Sequence, residues 1–326
     1  MTRILVLMIA LAGIFSLAAC GGGNNATGGG NGGNGGGNTA AGGDGSGDDG
    51  SGDDGTSAGP EKLIITAIPD DNADKLKENY GKVAKYLESK IGIPVEYMHV
   101  ENYAAAVTAL ANGKAHLSWM GGVTTVQADQ QTKGQAEVVC CRDIDKKFHT
   151  YFIANVDSGI GEVKNLKDLA EAAKGKSFTF GSKGSTSGHL MPRHFFTTQS
   201  GSKPEDVFSN VAYSGSHDKT LAQVADGSFA VGALNFATYD KSSDELKAKA
   251  PIIYTTPNYV DYSWVAHKDL GADLIGKIRT AFLEMDKSDE GKAILGFFKA
   301  GSFVKADLKE WDGIKAVMEA GVDIGG

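Results

Sequence analysis

The segment SFTFGSKGSTSGHLMPRHFF, Ser177 to Phe196, reads as strand, loop and helix. Ser177 to Gly181 predicts a strand, Ser182 to Gly188 a loop, and a helix opens at His189. Glycines let the backbone come close to a ligand. Ser185, Thr186 and Ser187 set three consecutive hydroxyls beside the free N–H groups of a helix start, an arrangement that suits an anion. It is not a Walker loop, because no Gly-Lys-Ser/Thr triplet follows the required glycine spacing. The same residues would also serve as a plain Ser/Thr cap with a flexible spacer.

Strand–loop–helix units recur on both sides. Upstream, Lys62 to Ile68 predicts a strand, Lys75 to Ile91 a helix with apolar residues at helical spacing, and Pro94 to Val100 a strand. Tyr103 to Asn112 predicts a helix with Asn102 as its N-cap, Leu117 to Met120 a strand, and Val123 a further helix start. Glu137 to Cys141 and Thr150 to Asn155 are two more strands. Downstream, Val207 to Tyr213, Ala230 to Asn235, Ile252 to Thr255 and Tyr262 to His267 read as strands. Helices are expected over His217 to Asp226, the Tyr239 to Ala250 region, Leu274 to Met285, Gly291 to Ala300 and Gly313 to Ala320. Two βα series with a helical tail predict an α/β protein of two lobes with a ligand cleft between them, since ligands sit beyond the carboxyl ends of parallel strands.

The rest of the chain sets the context. It has 326 residues and a formal net charge of -8. Nineteen of its 45 glycines fall within residues 21–59, with five aspartates and no Lys or Arg. Such a stretch cannot build a core and reads as a flexible tether. It would span about 35 Å on average and about 130 Å fully stretched. Met1-Thr2-Arg3, the apolar run Ile4 to Leu17, and Ala18-Ala19 read as a signal peptide over 1–20. Leu17-Ala18-Ala19-Cys20, followed by glycine, resembles the bacterial lipobox, which implies acylation of Cys20 and a membrane anchor. An ordinary signal peptide ending near a cysteine is the plainer alternative. The remaining charge, 31 basic against 35 acidic residues, argues against nucleic-acid binding. Adjacent Cys140 and Cys141 read as two thiols on a partly buried strand, a vicinal disulfide being the alternative in an oxidising compartment.

Several further motifs fall at predicted loop ends. They are Tyr103-Ala104-Ala105, Trp119-Met120-Gly121-Gly122, Tyr213-Ser214-Gly215-Ser216-His217-Asp218 and Gly232-Ala233-Leu234-Asn235. Taken in order with Ser185-Thr186-Ser187-Gly188-His189-Leu190-Met191-Pro192, they resemble the phosphate/phosphite/phosphonate solute-binding family of ABC importers. The opening Ala67-Ile68-Pro69-Asp70-Asp71-Asn72 is similar to the branch labelled selenate-binding. The resemblance covers essentially all of residues 62–324. It implies a two-lobed periplasmic-binding-protein fold of type II, with lobe 1 built from 60–145 and 258–326 and lobe 2 from 146–257. It implies ligand-facing roles for Tyr103, Met120, Ser185, Thr186, Ser187, His217 and Asp261. It further implies a monomer without cofactor or metal that passes a small oxyanion to the transmembrane subunits of a permease. Met120 departs from phosphonate binders, where an aromatic residue can contribute a hydroxyl. Thr238 stands near where an acidic residue would meet an aminoalkyl group.

Hydrogen bonds to an ionised group contribute roughly 1.5–3 kcal/mol each, so neutral hydroxyls, helix amides and a histidine suffice for a tetrahedral oxyanion. An Asp261 carboxylate would accept a P–OH proton and repel a proton-free selenate or sulfate. His217 would matter more at low pH if its imidazolium were the donor. Hydrolysis is the first competing function. No Gly-x-Ser-x-Gly elbow occurs, and His189 and His194 are five apart, not the four of a helical zinc pair. A receptor that presents its ligand to a membrane sensor is the second, and it would use the same closing cleft.

Overall fold

The computed structural model describes residues 59–325. The signal peptide, Cys20 and the tether expected over 21–59 lie outside the described residues, apart from Gly59.

Along the chain the strands are β1 (Leu63–Ala67), β2 (Val95–Tyr97), β3 (Leu117–Met120), β4 (Ala136–Arg142), β5 (Thr150–Ala154) and β6 (Ser177–Phe180). They continue with β7 (Asn210–Tyr213), β8 (Val231–Asn235), β9 (Ile252–Thr255), β10 (Ser263–His267) and β11 (Phe303–Val304). The α-helices are α1 (Ala73–Ile91), α2 (Tyr103–Ala111), α3 (Gly122–Gln131), α4 (Leu166–Ala172), α5 (Met191–Ser200) and α6 (Pro204–Val207). Then come α7 (His217–Ala225), α8 (Phe236–Lys241), α9 (Asp244–Lys249), α10 (Ala272–Leu283), α11 (Asp289–Phe298) and α12 (Asp312–Glu319).

Two sheets organise these elements. The first has the order β11-β4-β10-β3-β1-β2 and the second β7-β6-β8-β5-β9. In the first, β1 pairs in parallel with β2 and β3, while β10 runs antiparallel between β3 and β4. In the second, β6 is parallel to β7 and β8, and β5 is antiparallel to β8 and β9. The chain passes from the first sheet to the second after β4 and returns before β10. The two passages are joined by Phe148 and Tyr259, which exchange backbone hydrogen bonds of 2.9 Å each, and by the Asp261 N–H, which donates to the Asp145 carbonyl at 3.2 Å.

The apolar spacing of α1 does what it predicts. Leu76, Tyr80, Val83, Ala84, Leu87 and Ile91 are all buried, Asn72 caps the start, and Gly92 ends the helix in the left-handed region at φ 78°. Burying one such Leu contributes about 1.5–3 kcal/mol. The first sheet's core centres on aromatic rings. Trp264 stacks on Phe282, and Trp119 stacks on Tyr262 with Phe298 edge-on. Cys140 and Cys141 are both buried free thiols.

Two of the departures from expectation have plain local causes. The helix expected over Tyr239 to Ala250 is broken at Ser242-Ser243, because Ser243 caps a new helix by accepting from the Leu246 N–H. The strand expected from Val207 begins at Asn210, because Pro204 opens a helical turn that runs to Val207.

Candidate functional site

Five chain segments converge where the carboxyl ends of β3 and β6 face each other. The loop after β6 closes on itself: Gly181 N–H donates to the Gly188 carbonyl at 2.8 Å, and Ser185 Oγ accepts from Gly188 N–H at 2.9 Å. Thr186–Leu190 then forms a π-helical turn, with Leu190 N–H donating to the Ser185 carbonyl at 3.0 Å. Such turns concentrate at functional positions. Only glycine fits at 188, since a Cβ there would lie 2.9 Å from Ser185 Oγ and 3.0 Å from His217 Cε1.

The start of α3 meets this loop from the other lobe. Val123 N–H donates to Thr186 Oγ1 and Gly122 N–H to Asp261 Oδ1, both at 2.9 Å. Tyr103 opens α2 behind its Asn102 cap, and a Cβ on Gly184 would touch the Tyr103 Cβ at 3.1 Å. His217 opens α7. Its Nδ1 accepts from the Asn235 N–H at 3.3 Å, so the neutral ring carries its proton on Nε2, 3.4 Å from the Tyr262 hydroxyl.

Among the described residues, five buried side-chain polar atoms have no hydrogen-bond partner. Three of them are Tyr103 OH, Ser187 Oγ and Asp261 Oδ2. Leaving such an atom unpaired costs about 1–3 kcal/mol. All three belong to residues expected to face a ligand. Burial pushes the Asp261 carboxyl up to about 7, although the hydrogen bond from the Gly122 N–H pulls it down. Burial pushes His217 down to about 4, so a neutral Nε2–H, not an imidazolium, is its donor near neutrality.

Six of the seven expected residues therefore gather at this junction. Met120 does not. Successive side chains of a strand point to opposite faces, and Met120 packs with Val107, Leu110, Ala128 and Val265 in a separate apolar cluster. The nearby cations are also engaged elsewhere. Lys183 pairs with Asp323 at 2.9 Å and Arg193 with Glu205 at 2.6 Å.

Beside the junction lies a small cavity of about 50 Å³, whose walls include Asp70, Asp71, Trp119, Arg142, Thr238 and Tyr262. It reaches the junction through Tyr262, whose hydroxyl accepts from Asn235 Nδ2 at 3.1 Å. Burial and the Asp71 charge push Asp70 up to about 6. Sequence reading missed Tyr262 and Arg142. Tyr262 had a signal, its place next to Asp261. Arg142 had none, because its position rests on a fold contact: its guanidinium lies 4.7 Å from the Tyr262 ring centroid and pairs with buried Asp145 at 2.6 Å.

Two α/β sheets joined by two chain passages, with buried hydroxyls and a carboxyl where they meet, are the architecture of a solute-binding protein. The sequence profile described as "ABC transporter, phosphonate, periplasmic substrate-binding protein" matches residues 65–311, and the chain belongs to that family. A relative named "Probable ABC transporter phosphite binding protein PhnD1", from Prochlorococcus marinus (strain MIT 9301), is 36% identical over 266 residues, covering 79% of this chain and 89% of the relative. The phosphonates-binding periplasmic protein of Escherichia coli is 27% identical over 266 residues, covering 76% of this chain and 77% of that one. The solved structure of the Prochlorococcus marinus PhnD1 with methylphosphonate superposes with a TM-score of 0.76 at 35% identity, covering 80% of this chain and 98% of that one. A binding protein of an ABC phosphonate transporter from Pseudomonas aeruginosa shares the fold at a TM-score of 0.71 and 20% identity, over 80% of this chain and 86% of that one. The chain is thus a periplasmic-type binding protein of type II fold and, like these relatives, a component of transport, not an enzyme.

Proposed function

We propose that this chain captures a small tetrahedral phosphorus oxyanion, phosphite or a short alkylphosphonate, between its lobes. We further propose that it is anchored through acylated Cys20 and hands the ligand to the transmembrane subunits of a permease. The observation that carries the ligand class is the group of partnerless atoms: Tyr103 OH, Ser187 Oγ and Asp261 Oδ2. Two hydroxyls supply donors, and a carboxyl that titrates about 7 shares one proton with its ligand. A monoprotonated phosphorus oxyanion brings that proton; selenate and sulfate do not. Both relatives at the level of sequence are named for phosphorus oxyanions, which supports the same reading.

Calorimetry with phosphite, methylphosphonate, phosphate, selenate and sulfate tests the ligand class. Phosphite or methylphosphonate should bind most tightly. Ser187→Ala and Tyr103→Phe should each weaken that binding about 10- to 100-fold, the equivalent of one charge-assisted hydrogen bond. Absence of binding by every oxyanion would remove the reading. For the anchor, Cys20→Ser should abolish acyl incorporation and membrane retention; a variant that still labels with palmitate excludes it.

A further inference from the structure

Behind the oxyanion loop lies a polar network that touches no ligand position. His189 is fully buried between Phe180 and Tyr213. Its Nδ1 lies 2.8 Å from the Lys183 carbonyl and its Nε2 2.9 Å from Arg193 Nε. A carbonyl only accepts and a guanidinium only donates. Both partners therefore demand the same tautomer, with the proton on Nδ1 and the lone pair on Nε2, opposite to that of His217. The Tyr213 hydroxyl also meets Nε2, at 3.2 Å. Arg193 is itself clamped by Glu205 through two bonds of 2.9 and 2.6 Å and reaches Tyr213 at 3.2 Å.

The consequence is a tie across the loop. The Nδ1–H bond joins Lys183 at the loop's entry to His189 inside the turn, and Ser185, Thr186 and Ser187 lie between these two points. Loops held in their bound shape bind more tightly because less freedom is lost on binding. On the reading that Ser185–Ser187 hold an oxyanion, we propose that Arg193 is a positioning residue for that binding: clamped by Glu205, it fixes the Nδ1–H form of His189, which locks the loop. Around His189 the charged and titratable groups are Arg193, Glu205, Lys183, Asp323 and Tyr213. Without Arg193 the Tyr213 hydroxyl becomes the acceptor for an Nε2–H, the alternative tautomer that Arg193 holds off.

The test combines calorimetry with methylphosphonate and ¹⁵N NMR of the histidine rings in the folded chain. In the wild type, His189 should show a protonated Nδ1 and a bare Nε2. Arg193→Met should shift the ring toward mixed tautomers and weaken methylphosphonate binding about tenfold. His189→Asn keeps a side-chain N–H for the Lys183 carbonyl without needing Arg193. It should bind nearly as the wild type does, and adding Arg193→Met to it should cost less than about twofold, the coupling expected of residues that act through one another. If Arg193→Met fails to fold, Glu205→Gln reads the same effect as a smaller loss of about threefold. Unchanged ring shifts in Arg193→Met, unchanged affinity, or an equal loss in both backgrounds would overturn the proposal while leaving the ligand reading intact. A wild type that binds no oxyanion overturns both.

Discussion

Asp261 is held where a carboxylate is expensive, and this makes its proton informative. Its carboxyl moves from an ordinary 3.8 to about 7, with burial as the main cause. Below pH 4 the group is protonated in folded and unfolded chains alike. As pH rises from about 4 to 7, the unfolded chain loses that proton first, so the ligand-free fold is progressively destabilised, by an amount on the order of 2–4 kcal/mol. Asp261→Asn should therefore raise the melting temperature at pH 8 and leave it nearly unchanged at pH 4. An equal effect at both values would show that the carboxyl is not displaced. Binding follows the same sign. A proton-free dianion needs Asp261 protonated, so wild-type affinity for selenate should fall about tenfold per pH unit above 7, and Asp261→Asn should flatten that slope. His217, already neutral, should add no inflection above pH 5 to either profile.

At the scale of elements, two glycines separate function from stability. Gly188 lies in the π-helical turn, where an added Cβ would press on Ser185 Oγ and His217. Gly188→Ala should cut ligand affinity at least about tenfold while the domain still melts cooperatively. Gly291 sits in the first turn of α11, and a Cβ there would lie 1.8 Å from the Met285 carbonyl oxygen. Gly291→Ala should cost about 3 kcal/mol of stability and leave the affinity of the folded fraction unchanged. Thermal melts paired with calorimetry check both, and a Gly188→Ala protein that binds normally would contradict the packing argument. Much of the element order was legible in the chain. The α1 stripe and the Asn102 cap are local signals, and local signals survive folding. The split at Ser242-Ser243 was less so, since a serine inside an apolar pattern reads equally as an exposed helix position. The 185–187 hydroxyls were found by type and spacing. The 3.4 Å approach of Tyr262 to His217 brings together residues 45 apart in sequence, and no local pattern encodes it. Met120 sits instead in an apolar cluster with Val107, Leu110, Ala128 and Val265, a packing that an isolated strand residue does not announce.

Across the whole molecule, few bonds hold the lobes together around the site. They include Val123 N–H to Thr186, Asn235 to Tyr262, Lys241 Nζ to the Phe297 carbonyl at 2.9 Å, and Lys183 to Asp323. The first involves Thr186, which is expected to face the ligand, and the last is an exposed pair worth at most about 1 kcal/mol. Closure should therefore depend on the ligand. Solution scattering should show a smaller radius of gyration with saturating methylphosphonate than without it, by hinge bending at the two passages. Identical profiles would count against a moving cleft. The Phe148–Tyr259 bridge gives this motion a further meaning, because Asp261 and Tyr262 follow it within three residues on the return passage. On the proposed reading, the carboxyl that would read the ligand's proton stands two residues past the bridge that would act as the pivot. An anion that fills the hydroxyl donors but leaves that carboxyl in conflict would be retained in a molecule still ajar. It would act as a competitor for capture that never presents the shut outline, so a mimic could occupy the protein without becoming cargo.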